Sequence, residues 1–215
     1  MSIKALYFDV ETTGRSAYKN DIVQLSGMVE IDGEVKETFN LLARPVNVDD
    51  IEQEALDVIG KTKEQIMAYP DRSEMKKQFQ DILGRYVNKF DKADKFIPVG
   101  YNVRFDLDFI HSFFKKQKDM YLGSFISWYY VDVMALANLK AFEGAFKLEN
   151  HKLGTLCDHF GIQIQAHDAL SDIIATRDLL GSLTGRKLNP ITKEPTKQAT
   201  QQALSSDDIS NDIPF

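Results

Sequence analysis

Apolar side chains fill nearly every position of residues 3–10, IKALYFDV, with Leu6 and Phe8 on one face and Tyr7 and Asp9 on the other. The run reads as a largely buried strand, closed by Thr12-Thr13-Gly14. Two more apolar segments, 22–31 and 35–43, flank Asp32-Gly33, and Asp-Gly between strand-like runs is the strongest short hairpin signal. Together the three segments predict an antiparallel meander. Helical spacing follows over 50–59, 62–67 and 73–90, the last carrying Met75, Phe79, Ile82, Leu83 and Tyr86 on a stripe suited to cover a sheet.

Residues 96–101 then read as a short strand whose Pro98 suits its beginning or an edge, and 105–116 as a helix. A β-rich segment at 127–133, a helix at 133–139, a helix at 152–160 closed by Gly161 and a last helix at 169–183 complete the pattern. A meander followed by alternating strands and helices predicts an α/β domain with a mixed central sheet and flanking helices. After Gly185 the stretch GRKLNPITKEPTKQATQQALSS offers little to a core. The expected organisation is therefore a domain over 1–184, a flexible linker over 185–206 and an acidic tip over 207–215, the last two forming a disordered C-terminal tail.

Composition narrows the class. At 215 residues, 43% hydrophobic and 27% charged, the chain can bury a sizeable core and is too short for two ordinary domains of about 150 residues. It contains no run of 18 apolar residues, and its first strand begins without a signal-peptide core, so a soluble, cytoplasmic protein without a membrane partner is expected. Cys157 is alone and no Cys/His cluster has zinc spacing, which excludes a disulfide scaffold and a structural zinc site. The net charge of −6 argues against a protein that coats nucleic acid through a broad basic surface. It does not argue against a nuclease whose acids hold cations.

Three groups of residues carry candidate chemistry. Asp9 and Glu11, two apart on the first strand, project from the same face. Solvated acids on an exposed strand are the ordinary use of such a pair, but the apolar flank ALYF makes this strand a buried one, where unpaired carboxylates are costly. A divalent metal would relieve both burial and repulsion. In the second group, Gly100 to Asp106, a strand turns into a helix that presents Asp106 near its start; its ordinary use is to sit at the positive helix N-terminus, with Asn102 as a turn residue. The third group enters the last helix, where Asp168 suits an N-cap while His167 and Asp172 could lean toward one centre.

In this order and on these elements, the groups resemble the DnaQ-like 3′ to 5′ exonucleases of the DEDDh type. The resemblance rests on Phe8-Asp9-Val10-Glu11-Thr12-Thr13-Gly14, on Asn102 with Phe105-Asp106, and on His167 with Asp172 five residues later, the spacing of the histidine subtype. Tyr101 stands where many relatives have His. The resemblance implies an RNase H-like fold and hydrolysis of phosphodiester bonds with two divalent metal ions, Mg²⁺ or Mn²⁺, about 4 Å apart. It assigns Asp9 to bridge the ions, Glu11 and Asp172 to the ion that activates water, Asp106 to the second ion, and His167 to the water proton. It also implies substrate contacts at Thr12, Thr13, Asn102 and Phe105, although core packing is the ordinary use of Phe105. His111, His151, His159 and Asp108 fit surface or structural roles.

The ending Asp212-Ile213-Pro214-Phe215, preceded by Asp207-Asp208, resembles the acidic tip of bacterial single-stranded DNA-binding proteins. In such tips the terminal aromatic and its carboxylate enter an apolar pocket rimmed by Lys or Arg. The expected partners are thus a nucleic acid 3′ end, single-stranded DNA before RNA, proteins that recognise such tips, and a DNA polymerase. A ribonuclease of the same fold, of the RNase T or oligoribonuclease kind, is the competing activity. An inactive module acting through its tail is the competitor from another class.

Overall fold

The computed structural model describes residues 2–164 and 169–191. His167 and Asp168 lie outside the described residues, as does the tip with Asp212, Ile213, Pro214 and Phe215. Strands β1 (Lys4–Thr12), β2 (Ile22–Ile31) and β3 (Glu34–Leu42) form the expected meander. Asp32 and Gly33, both at positive φ (51° and 85°), turn β2 into β3, as a two-residue hairpin with this twist requires. Helices α1 (Gln53–Ile59), α2 (Lys63–Met67) and α3 (Arg72–Tyr86) follow. Then come β4 (Ile97–Gly100), α4 (Val103–Lys116), β5 (Val131–Asp132), α5 (Val133–Phe142), α6 (Leu153–Phe160) and α7 (Ala169–Thr184).

The sheet order is β3-β2-β1-β4-β5, antiparallel through β1 and parallel from β1 to β5. This is the mixed α/β sheet expected of an RNase H-like exonuclease. Alternation along β1 builds both layers of core. Leu6, Phe8 and Val10 pack with Phe79 of α3 and Phe109 and Phe114 of α4, while Ala5 and Tyr7 pack with Leu156, Ile173 and Leu179 of α6 and α7. No helix among the described residues is long and apolar enough to cross a membrane.

Beyond shifts of two or three residues at helix ends, three details depart from the sequence reading. Helix α3 stops at Tyr86 rather than residue 90, because Val87 turns extended (φ −123°, ψ 126°) to bury its side chain and Phe90 is left in solvent. The β-rich segment shrinks to Val131–Asp132, since Trp128 and Tyr129 are exposed rather than seated on the sheet. Residues 186–191, assigned by sequence to the linker, lie against the domain: Arg186 pairs with Glu30 at 2.7 Å and Ile191 packs on the second core. Gly181 makes this seat available, because a Cβ there would stand 2.7 Å from Leu188 Cδ1.

Candidate active site

The pairing of β1 with β4 runs only through Tyr7 and Val99, so beyond Tyr7 the β4 side of β1 faces the start of α4. The turn into α4 is tight. A Cβ on Gly100 would approach Val103 Cγ2 to 2.9 Å, and Asn102 takes the left-handed conformation (φ 60°) before the first helical residue. This places Asp106, 4% exposed, against β1, where its Oδ1 accepts a hydrogen bond from the Val10 amide at 3.0 Å. The acid thus inserts between the strand positions of Asp9 and Glu11. On the other side, α7 packs over the sheet and brings Asp172 to a cavity of about 190 Å³ that Asp9, Tyr7, Gly100 and Tyr101 also line.

The electrostatics reflect this proximity of acids. Burial drives the Asp9 carboxyl well above the ordinary carboxylate range, and Asp106, Glu11 and Asp172 each push it further. Asp106 is pushed up to about 7, by burial first and then by Glu11 and Asp132, against the stabilising amides of Val10 and Asp106 itself. Among the described residues, the charges that shift Asp9 are all negative. A buried acid so surrounded calls for a cation, and the donors are carboxylate oxygens suited to Mg²⁺ or Mn²⁺. Among the described residues no three acid, histidine or cysteine side chains are already gathered into a coordination shell. Like charges repel, so such a shell tightens only around a positive ion.

The other candidates divide. Thr12 and Thr13 are buried, and their hydroxyls serve the turn: Thr12 Oγ1 donates to the Gly14 carbonyl at 2.7 Å and Thr13 Oγ1 accepts from the Asp21 amide at 2.9 Å. Phe105 is half-buried with its ring centroid 4.8 Å from that of Phe109, a core use. Asn102 is exposed at the helix start. Asp108 pairs with Arg104 at 3.0 Å, and His111 and His159 are exposed, in keeping with surface roles. One contributor escaped the sequence reading. Asp132 caps α5 through the Met134 amide, accepts from the Asn102 amide at 3.1 Å and raises Asp106. Its only signal was an acid before a helix, which is common.

The exonuclease family model RNase_T matches residues 6–180. Among curated proteins, the DNA polymerase III PolC-type of Oceanobacillus iheyensis is 31% identical over 180 residues, 83% of this chain and 11% of that protein. The counterpart from Bacillus subtilis is 28% identical over 174 residues, 80% of this chain and 11% of its own. The chain thus spans about a tenth of the length of these curated relatives. Among solved structures, E. coli exonuclease I bound to a dT13 oligonucleotide superposes with a TM-score of 0.71 at 22% identity, over 86% of this chain and 41% of that one. An ExoI/SSB-Ct complex gives 0.72 at 20% identity, over 87% and 42%. Those two likenesses establish the fold.

Proposed function

Because this chain belongs to the RNase_T exonuclease family, we propose that it removes nucleotides one at a time from a 3′ end, preferring DNA and releasing nucleoside 5′-monophosphates. The observation that carries the reading is the convergence of Asp9, Glu11, Asp106 and Asp172 where β1, α4 and α7 meet. In this reading Asp9, Glu11 and Asp172 would hold one divalent cation, and Asp106 would help hold a second. Such cations, when bound, stabilise negative charge on the attacking and leaving oxygens of the phosphodiester. Asp106, fixed by the Val10 amide, orients its carboxylate without rearrangement. His167 takes the proton from the attacking water, as an imidazole with an ordinary pKa of about 6.5 can at neutral pH.

A 5′-labelled single strand incubated with Mg²⁺ or Mn²⁺ should shorten stepwise from its 3′ end, faster as DNA than as RNA of matched sequence. Internal cutting, or no release with either ion, would overturn the proposal. His167→Ala should lower kcat about 10²- to 10⁴-fold, measured at saturating strand and metal. DNA is preferred here because the curated relatives are DNA polymerases and the neighbouring exonuclease I was solved with a DNA strand. Polymerase association belongs to the same proposal.

We also infer that Asp212, Ile213, Pro214 and Phe215 dock onto proteins that recognise such tips. Exonuclease I, solved in an ExoI/SSB-Ct complex, is a ready probe. Deleting Phe215 should abolish its capture by the full-length protein while leaving hydrolysis of a short strand intact; undiminished capture would refute the docking role.

A further inference from the structure

A second concavity, about 580 Å³, lies along the outer flank of α4. Lys92 and Lys95 line it from the loop before β4, Arg104 and His111 from α4, and Trp128 and Tyr129 from the segment leading into β5. Trp128 is 90% exposed and Tyr129 50%, in consecutive positions with ring centroids 5.8 Å apart. The backbone beneath them is held, since the Ser127 hydroxyl donates to the Tyr129 carbonyl at 2.5 Å. Neighbouring aromatics this exposed add little to a core and mark a contact surface.

Charge identifies what they would contact. Arg104 is engaged by Asp108, which also lines the groove, but Lys92 and Lys95 add positive charge without an acid in an ion pair with either among the described residues. A net-positive groove in a chain of net charge −6 suits a polyanion. Exposed aromatics and lysines lining one groove suit bases and phosphates of an unpaired strand, because every base has a stacking face. Helix α4 lies between the groove and the acidic site and contributes side chains to both. Arg104 is two residues from Asp106 on the opposite side of the helix, and Tyr130, beside it, is two residues from Asp132.

We propose that Trp128, Tyr129, Lys92 and Lys95 form a platform for the single-stranded nucleic acid that trails behind the reacting 3′ end. The proposal rests on the exonuclease reading for the strand's destination, but strand binding can be measured without turnover. Trp128 is the sole tryptophan of the chain, so its fluorescence reports on this surface alone. With chelator present, a ten-nucleotide dT strand or a matched RNA should quench Trp128 saturably, and a blunt duplex should not.

Lys92→Gln with Lys95→Gln should reduce the salt dependence of strand binding by about 0.7 in logarithmic slope per lysine. Trp128→Ala with Tyr129→Ala should weaken binding of a labelled strand about tenfold or more by anisotropy. In turnover, the same double variant should lose at least about tenfold more kcat/KM on the ten-nucleotide strand than on the p-nitrophenyl ester of thymidine 5′-monophosphate, which reaches only the reacting position. Unchanged strand affinity overturns the platform, as does quenching by a synthetic peptide of residues 207–215 and not by the strand. A protein that binds the strand through these residues yet releases no nucleotide supports the platform and refutes the exonuclease reading instead.

Discussion

Asp9→Asn is expected to lower turnover on the order of 10³-fold or more and, at the same time, to make the chelated protein more resistant to heat than the wild type. The activity loss follows from removing the carboxylate placed among the other three. The gain in stability follows from the same placement. Burial and three acidic neighbours raise the Asp9 pKa in the folded state, so folding disfavours its ionised form. The penalty appears as pH rises above the unfolded value near 4 and grows as the folded carboxyls ionise, Asp106 at about 7 and Asp9 also well above the ordinary range. Calorimetry in chelator should therefore show the wild type losing stability from about pH 4 upward through about pH 7, by on the order of a few kcal/mol, with Asp9→Asn losing less. Adding Mg²⁺ should raise the wild-type Tm and leave that of the variant nearly unmoved. A variant that melts lower than the wild type in chelator at pH 8 would show that these carboxylates do not oppose one another.

The second large effect is structural. Arg177 of α7 is 2% exposed and pairs with Glu30 of β2, 1% exposed, at 2.5 Å; its guanidinium also donates to the carbonyls of Gly33 (3.3 Å) and Asn189 (3.0 Å). Breaking a buried pair from one side leaves an uncompensated charge, at a cost of about 3–5 kcal/mol. Arg186 still reaches Glu30 at 2.7 Å, which places Arg177→Met nearer the lower figure. For a chain of this size that lowers Tm by roughly 10 °C. Urea unfolding of Arg177→Met, of Glu30→Leu and of the double variant checks the account: the double variant should recover much of the loss, because a matched apolar pair removes the stranded charge. Additive losses would mean the two side chains act separately.

The meander was legible because its information is local. The apolar run and Asp32-Gly33 set the bounds of β2 to the residue, and β1 differed by one or two at each end. Helix α3 overran in the reading since Val87 and Phe90 continue an apolar stripe that only tertiary packing breaks, Val87 inward and Phe90 outward. Trp128 and Tyr129 suggested a strand by residue type, yet both stay exposed outside the sheet. The strap at 186–191 was illegible because Arg186 finds its partner 156 residues earlier and Leu188 needs the space above Gly181. In the site, the acids that pattern could find are those on a strand and on helix starts. Asp132 acts across space on Asp106 from an ordinary cap, which no spacing marks.

The strap also fixes where the chain exits. Its Arg186 and Asn189 approach Gly33, at the hairpin that pairs with the beginning of β1, whereas Asp9 and Glu11 lie toward the other end of that strand. An affinity handle or fusion partner joined after Ile191 would therefore depart from the pole opposite the carboxylates and leave the substrate's approach open. Trimming at residue 184 would instead strip Glu30 of one of its two cations and uncover Gly181.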